Sequence, residues 1–247
     1  MRVLPRIRRA QRSAGSRHSL WACLLVVLGL GVGCAVNPVT GQRELVLLSV
    51  AQETELGRTS AERFRRELGL VEDPRLAGYV ASVGERLAVH SPRQDVRYHF
   101  AITDTPEPNA FALPGGYVYV SRGALVIMNS EAELAGVLGH EIGHVAARHS
   151  VQQQTRSVGL GLLTVLGAVA AGAAGGEGAA DSVAQLGQVA GAGLIATYGR
   201  DQERQADEVG QALAAKDGYD PAGIAGFLST LGRETTRLSG GRARAPP

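Results

Sequence analysis

His140-Glu141-Ile142-Gly143-His144 lies inside the best-marked helix of this 247-residue chain. Ser130-Glu131-Ala132-Glu133 opens that helix with a capping box, a serine followed three residues later by a glutamate. Leu134, Val137, Leu138, Ile142 and Val145 then carry an apolar pattern through to about Arg148. Residues four apart on a helix differ by only about 40° around the axis, so the two imidazoles share a face and can grip one ion. Glu141 sits about 100° round from His140, close enough to reach a water on that ion without binding the ion itself. Two ordinary surface histidines and a glutamate would spell the same five letters. The apolar neighbours argue against that, because polar groups buried in such a segment need compensation, and a metal supplies it.

HExxH on a helix is a signature of zinc hydrolases, and such a site needs a third protein ligand. A histidine six residues beyond His144 would complete one known pattern, but Ser150 stands there. His149 is nine residues from His140, about 180° round a continuous helix, which reads as a surface or second-layer residue facing away. His90 and His99 fall in a predicted helix-to-strand region and read as structural. The better candidate is Glu203, in Glu203-Arg204-Gln205-Ala206-Asp207. Glu203 and Asp207 share a helix face, so one can bind the metal while the other accepts the free N–H of a metal-bound histidine. Spacing alone leaves this nearly even with a solvated charged helix.

Around these motifs the chain reads as α+β and mainly helical. Helices are expected over 51–69, from Pro74 to about Val89, over about 201–216, and from Pro221 to about Gly232. Residues 96–102 and 117–120 alternate as strands, joined through Asn109–Gly116, an extended segment closed by Pro-Gly-Gly. Residues 51–235 form one expected domain, with 34–50 as a linker and 236–247 as a disordered tail. The uncharged run Ser157–Gly176 is long enough to span a bilayer, but its Gly/Ala content favours a lid or packed helix near the site.

Six arginines and no acidic residue lie in residues 1–33, and removing them leaves 19 basic against 23 acidic residues. The remaining chain is mildly acidic, with no basic patch of the kind a nucleic acid needs. The run from Leu20 to Gly33 is apolar and too short to span comfortably, so residues 1–33 read as a signal peptide. Cys34 follows small residues in the manner of a bacterial lipobox, with Gly31 where leucine is usual. Acylation there would anchor the chain to a membrane and consume the one cysteine left after cleavage. Ala35 after Cys34 favours the outer membrane, on the periplasmic side, in a Gram-negative host.

HExxH followed some sixty residues later by ExxAD resembles the glutamate-zincin peptidases of the HtpX and Ste-type CAAX protease family. The segments Asn109–Leu125 and Asn37–Arg43 resemble the same family, the latter its bacterial lipoprotein members. The resemblance implies a zincin-like domain holding one Zn²⁺ per chain through His140, His144 and Glu203. It implies Glu141 as general base and Asp207 as a catalytic proton donor or support. It also implies that an edge strand beside the HExxH helix, with Asn109, Ala110 and Phe111, receives an extended polypeptide. The expected function is an endopeptidase of the bacterial envelope that degrades unfolded or damaged proteins. The rival expectations are a non-proteolytic, chaperone-like binder on the same fold and a zinc hydrolase of a non-peptide bond.

Overall fold

The computed structural model describes residues 33–170 and 198–242. The expected signal stretch up to residue 32, the end of the Gly/Ala-rich run beyond residue 170 and the last five residues lie outside them. Two strands, β1 (Gly33–Val36) and β2 (Arg43–Val46), come first, followed by helices α1 (Val50–Leu68) and α2 (Pro74–Ala88). Strands β3 (His99–Thr103), β4 (Ala110–Leu113) and β5 (Tyr117–Ser121) lead into a short helix α3 (Arg122–Ile127). Helices α4 (Glu131–Ala146), α5 (His149–Ala170), α6 (Arg200–Lys216) and α7 (Gly223–Arg242) complete the described chain.

The helix starts follow local chemistry. Asp73 caps α2 and Pro74 occupies its first turn. Ser130 Oγ accepts the Glu133 N–H at 3.2 Å. The reciprocal bond falls one residue earlier than the capping box predicts, because Glu133 accepts from the Asn129 N–H at 2.9 Å. The last helix continues to Arg242, into the stretch expected as a tail.

The sheet has the order β3-β5-β4, with β3 parallel and β4 antiparallel to β5. Strand β4 is therefore an edge. One face of the sheet joins α2, α4, α6 and α7 in the main core, built on Val83, Leu87, Ile102, Leu138, Ile142 and Leu213. The other packs Phe111, Leu113 and Tyr119 under Phe64 of α1. Helix α4 is buried almost all round, which is why its apolar pattern is broader than one stripe.

Residues 34–50, expected as a linker, carry two strands. Strands β1 and β2 form a hairpin in the register Gly33↔Val46. It docks on α5, where Gln152 Nε2 donates to Glu44 at 2.6 Å and the Leu47 N–H donates to Thr155 Oγ1 at 3.2 Å.

A second departure lies just after the HExxH turn. Helix α4 stops at Ala146, and Arg148 takes φ 59°, the one positive φ among described non-glycine residues. Its guanidinium reaches buried Glu53 of α1 through Nε (3.1 Å) and Nη2 (2.8 Å), and also the Leu48 carbonyl (3.1 Å). Arg93, 1% exposed, binds the two Glu53 oxygens at 2.7 and 2.9 Å and the Val145 carbonyl at 3.0 Å. This closed ionic cluster pins the corner between α4 and α5 and so determines where α5 begins.

Candidate metal centre

Helices α4 and α6 approach backbone to backbone. A Cβ on Gly143 would stand 2.7 Å from the Ala206 carbonyl oxygen, and one on Gly139 would stand 2.9 Å from that of Gly210. Ala206 and Gly210 repeat the four-residue spacing of Gly139 and Gly143, so two small-residue stripes meet. Glu203 and Asp207 are thereby carried to His140 and His144.

The donor atoms of His140, His144 and Glu203 all lie within 4.8 Å of one another. His140 Nε2 is 3.0 Å from His144 Nε2 and 3.5 Å from Glu203 Oε2, and His144 Nε2 is 3.9 Å from Glu203 Oε1. Ligands bound at zinc distances in a tetrahedron stand roughly 3.3 Å apart, so the triangle is of the right size. The tautomers fit as well. His140 Nδ1 lies 2.7 Å from Asp207 Oδ1, which can only accept while ionised, so the imidazole proton sits on Nδ1 and the Nε2 lone pair faces the other donors. With the His144 proton likewise on Nδ1, its Nε2 lone pair would join those of His140 and Glu203, and lone pairs gathered this closely repel one another unless a cation joins them. The residues present therefore fit a zinc-sized divalent metal.

Glu141 is buried beside this triangle and outside it. Burial pushes its carboxyl up to about 7; the charge of Glu203 adds to that, while His140 and a hydrogen bond from the Ala112 backbone N–H oppose it. That places it near the range useful to a general base. Burial, with His140 and His149 nearby, drives His144 down to about 2, so its ring is neutral and available as a ligand. Tyr198 stacks on His144 with ring centres 4.0 Å apart, and its hydroxyl pairs with Ser150 Oγ at 2.8 Å. Its hydroxyl is thus engaged on α5.

His149 is a second-layer residue, one of the two expected readings, but it neither lies at the surface nor faces away. It is fully buried, with Nδ1 2.9 Å from His144 Nδ1 and Nε2 2.8 Å from Gln205 Oε1. The helical rotation that would have turned it away does not apply, because α4 ends before Arg148. Burial holds it neutral, pushed down to about 4 despite the Gln205 hydrogen bond. Nothing in the sequence had singled out Gln205. Its place between Glu203 and Asp207 was the available signal, since His149 lies beyond the reach of those two. His90 and His99 take no part in the donor group.

Of the expected peptide-receiving residues, Ala110 and Phe111 lie in β4 and Asn109 immediately before it. The Ser121 N–H donates to the Asn109 carbonyl at 2.8 Å, so Asn109 faces β5. Antiparallel alternation then turns Phe111 toward β5 as well and leaves the backbone groups of Ala110 and Ala112 outward. The Phe111 ring is core, 5.3 Å from Phe64 and 5.0 Å from Tyr119 between ring centres. The outward Ala112 N–H is the group that meets Glu141. Ala112, not Phe111, is the strand residue at the site.

Residues 74–239 match peptidase family M48. The chain belongs to that family. As an M48 metallopeptidase domain it is 32% identical over 189 residues to the β-barrel assembly-enhancing protease of Escherichia coli K12, covering 74% of this chain and 38% of that relative. It is 35% identical over 147 residues to metalloprotease YcaL of the same organism, covering 60% and 54% of the two chains. It is 32% identical over 144 residues to the mitochondrial metalloendopeptidase OMA1 of Schizosaccharomyces pombe, covering 58% and 40%. This M48 chain thus spans well under two thirds of these relatives' lengths. An M48 domain accords with the α+β, mainly helical fold expected from the sequence. Among the described residues no helix is long and apolar enough to cross a membrane.

Proposed function

We propose that this chain is a zinc-dependent endopeptidase of the bacterial envelope that cleaves unfolded or extended polypeptides. The observation that carries the proposal is the convergence of His140, His144 and Glu203 within 4.8 Å beside a buried Glu141. Zinc held by those three residues would supply a Lewis acid that acidifies water and polarises a carbonyl. Glu141 takes the proton from the attacking water and returns it to the leaving amine. Asp207 holds the His140 ring by accepting its Nδ1–H, which supports the ligand and leaves proton delivery to Glu141. The outward backbone groups of Ala110 and the outward carbonyl of Ala112 on β4 pair with substrate as an added strand and lay its scissile bond along α4, while the Ala112 N–H stays with Glu141. This mode favours extended chains, because main-chain pairing requires a strand conformation and reads little side-chain identity.

The lipoprotein reading belongs to the same proposal. Acylation at Cys34 places the domain on the periplasmic face of a membrane, the outer one in a Gram-negative cell. The name of the matched β-barrel assembly-enhancing protease supports work on envelope proteins, and removal of damaged ones is the role we assign. The decisive experiment uses the purified chain, with zinc counted per chain and casein as an unfolded substrate. We expect one zinc, chelator-sensitive cleavage, and a Glu141→Gln variant that keeps zinc and loses cleavage. Casein bound but left intact by a zinc-loaded wild type would instead favour a chaperone-like binder.

A further inference from the structure

We infer that His149 and Gln205 form a positioning relay behind His144, fixing the tautomer in which its Nε2 lone pair faces the metal. The inference rests on the metal-centre reading above. A neutral imidazole has one donor and one acceptor nitrogen. In the 2.9 Å contact between His144 Nδ1 and His149 Nδ1, one nitrogen must carry the proton and the other accept it. The far nitrogen of His149 decides which. Its Nε2 lies 2.8 Å from Gln205 Oε1, an oxygen that can only accept, so the His149 proton is on Nε2. His149 Nδ1 is then bare and accepts the Nδ1–H of His144, which leaves His144 Nε2 bare, 3.0 Å from His140 Nε2.

The chain of bonds has one alternative. A reversed Gln205 amide would donate to His149 Nε2 and move the His149 proton to Nδ1. His144 would then accept at Nδ1, carry its own proton on Nε2, and point an N–H at His140 instead of a lone pair. That arrangement satisfies itself and binds no metal. One carboxamide on α6 therefore selects between a ligand and a non-ligand form of a histidine on α4. His149 is 1% exposed, so water does not compete for its nitrogens. The device is unlike the one at His140, where a carboxylate acts directly.

The test measures zinc affinity by chelator competition in the full chain, together with side-chain ¹H–¹⁵N NMR of the histidines. His149→Phe removes the acceptor, and affinity should fall about 10- to 100-fold. His149→Asn places an oxygen where Nδ1 was and should recover most of that loss. Gln205→Glu, which can only accept, should bind as wild type, and Gln205→Leu should bind more weakly. In zinc-loaded wild type, NMR should show His149 protonated at Nε2 alone and His144 at Nδ1. His149 protonated at Nδ1, or a His149→Phe variant with undiminished affinity, overturns the relay. So does His149→Asn if it is folded by circular dichroism and binds no better than His149→Phe. If His149→Phe does not fold, the Gln205 pair and the wild-type spectrum decide. A wild type that binds no zinc overturns the metal-centre reading instead, and the His149 tautomer in that chain still judges the relay.

Discussion

Two polar clusters flank the last turn of α4, and they are built to opposite rules. Around Glu53 the charges pair with one another, with Arg93 and Arg148 covering both carboxylate oxygens and Asp95 taking the Arg93 Nε–H at 2.9 Å. Around His140 the donors face one another, and among the described residues no arginine or lysine pairs with them. The first cluster has its centre buried, with Glu53 and Arg93 each 1% exposed and Asp95 reaching water; in the second the converging donor of Glu203 is itself half-exposed, its side chain 46%. The difference separates a clamp from a site. A charge set whose members pair with one another holds the chain in place, whereas one whose donors converge without a partner is where a metal would be held.

Variants can break that contrast from either side. The largest effect is expected from Glu141→Gln, which should lower the rate of casein cleavage about 10²- to 10⁴-fold while zinc content stays unchanged. Retained cleavage would remove Glu141 from its proposed role. Glu53→Ala should come next, because it leaves the buried Arg148 with no carboxylate partner and Arg93 with only the half-exposed Asp95, at a cost of about 3–5 kcal/mol measured by urea denaturation. That loss should be the same with zinc or with chelator; a loss that appears only with zinc would mean that the clamp is part of the site. Asp207→Asn should weaken zinc binding about 10- to 100-fold in a chelator competition, with little change in the melting temperature of the metal-free chain. An equal drop in that temperature would make Asp207 a structural residue. The smallest effect is expected from Ser130→Ala, about 1 kcal/mol in urea denaturation from the lost cap of α4.

The open cluster was more legible in sequence than the closed one. Four-residue spacings put His140 with His144 and Glu203 with Asp207, and a helix converts such spacing into a shared face without help from elsewhere. The long helices were read to within a residue or two at most ends because proline, serine and aspartate mark their starts. The corner at Arg148 could not be read. Ala146-Ala147-Arg148-His149 contains no glycine or proline, and its left-handed residue is held by partners 95 and 100 positions away, Glu53 and Leu48. His149 was misplaced for the same reason, since a helical wheel fails once the helix has ended. The β1–β2 hairpin was missed because its strands are four residues each and are ordered by docking on α5 more than by their own pattern.

The glycine seam between α4 and α6 has a bearing on ion size. Ligands on one helix would form a gap of fixed width, but here the third donor arrives on a second helix, so the width depends on how closely the two axes approach. Gly143, with 2.7 Å between its virtual Cβ and the Ala206 carbonyl oxygen, leaves no slack. Even one added methyl would force the helices apart and stretch the donor triangle, shifting preference from zinc, with bonds of roughly 2.0–2.1 Å, toward an ion of larger radius. Selectivity among metals at such a centre would in this way be partly written into residues that have no side chain and would never touch the ion.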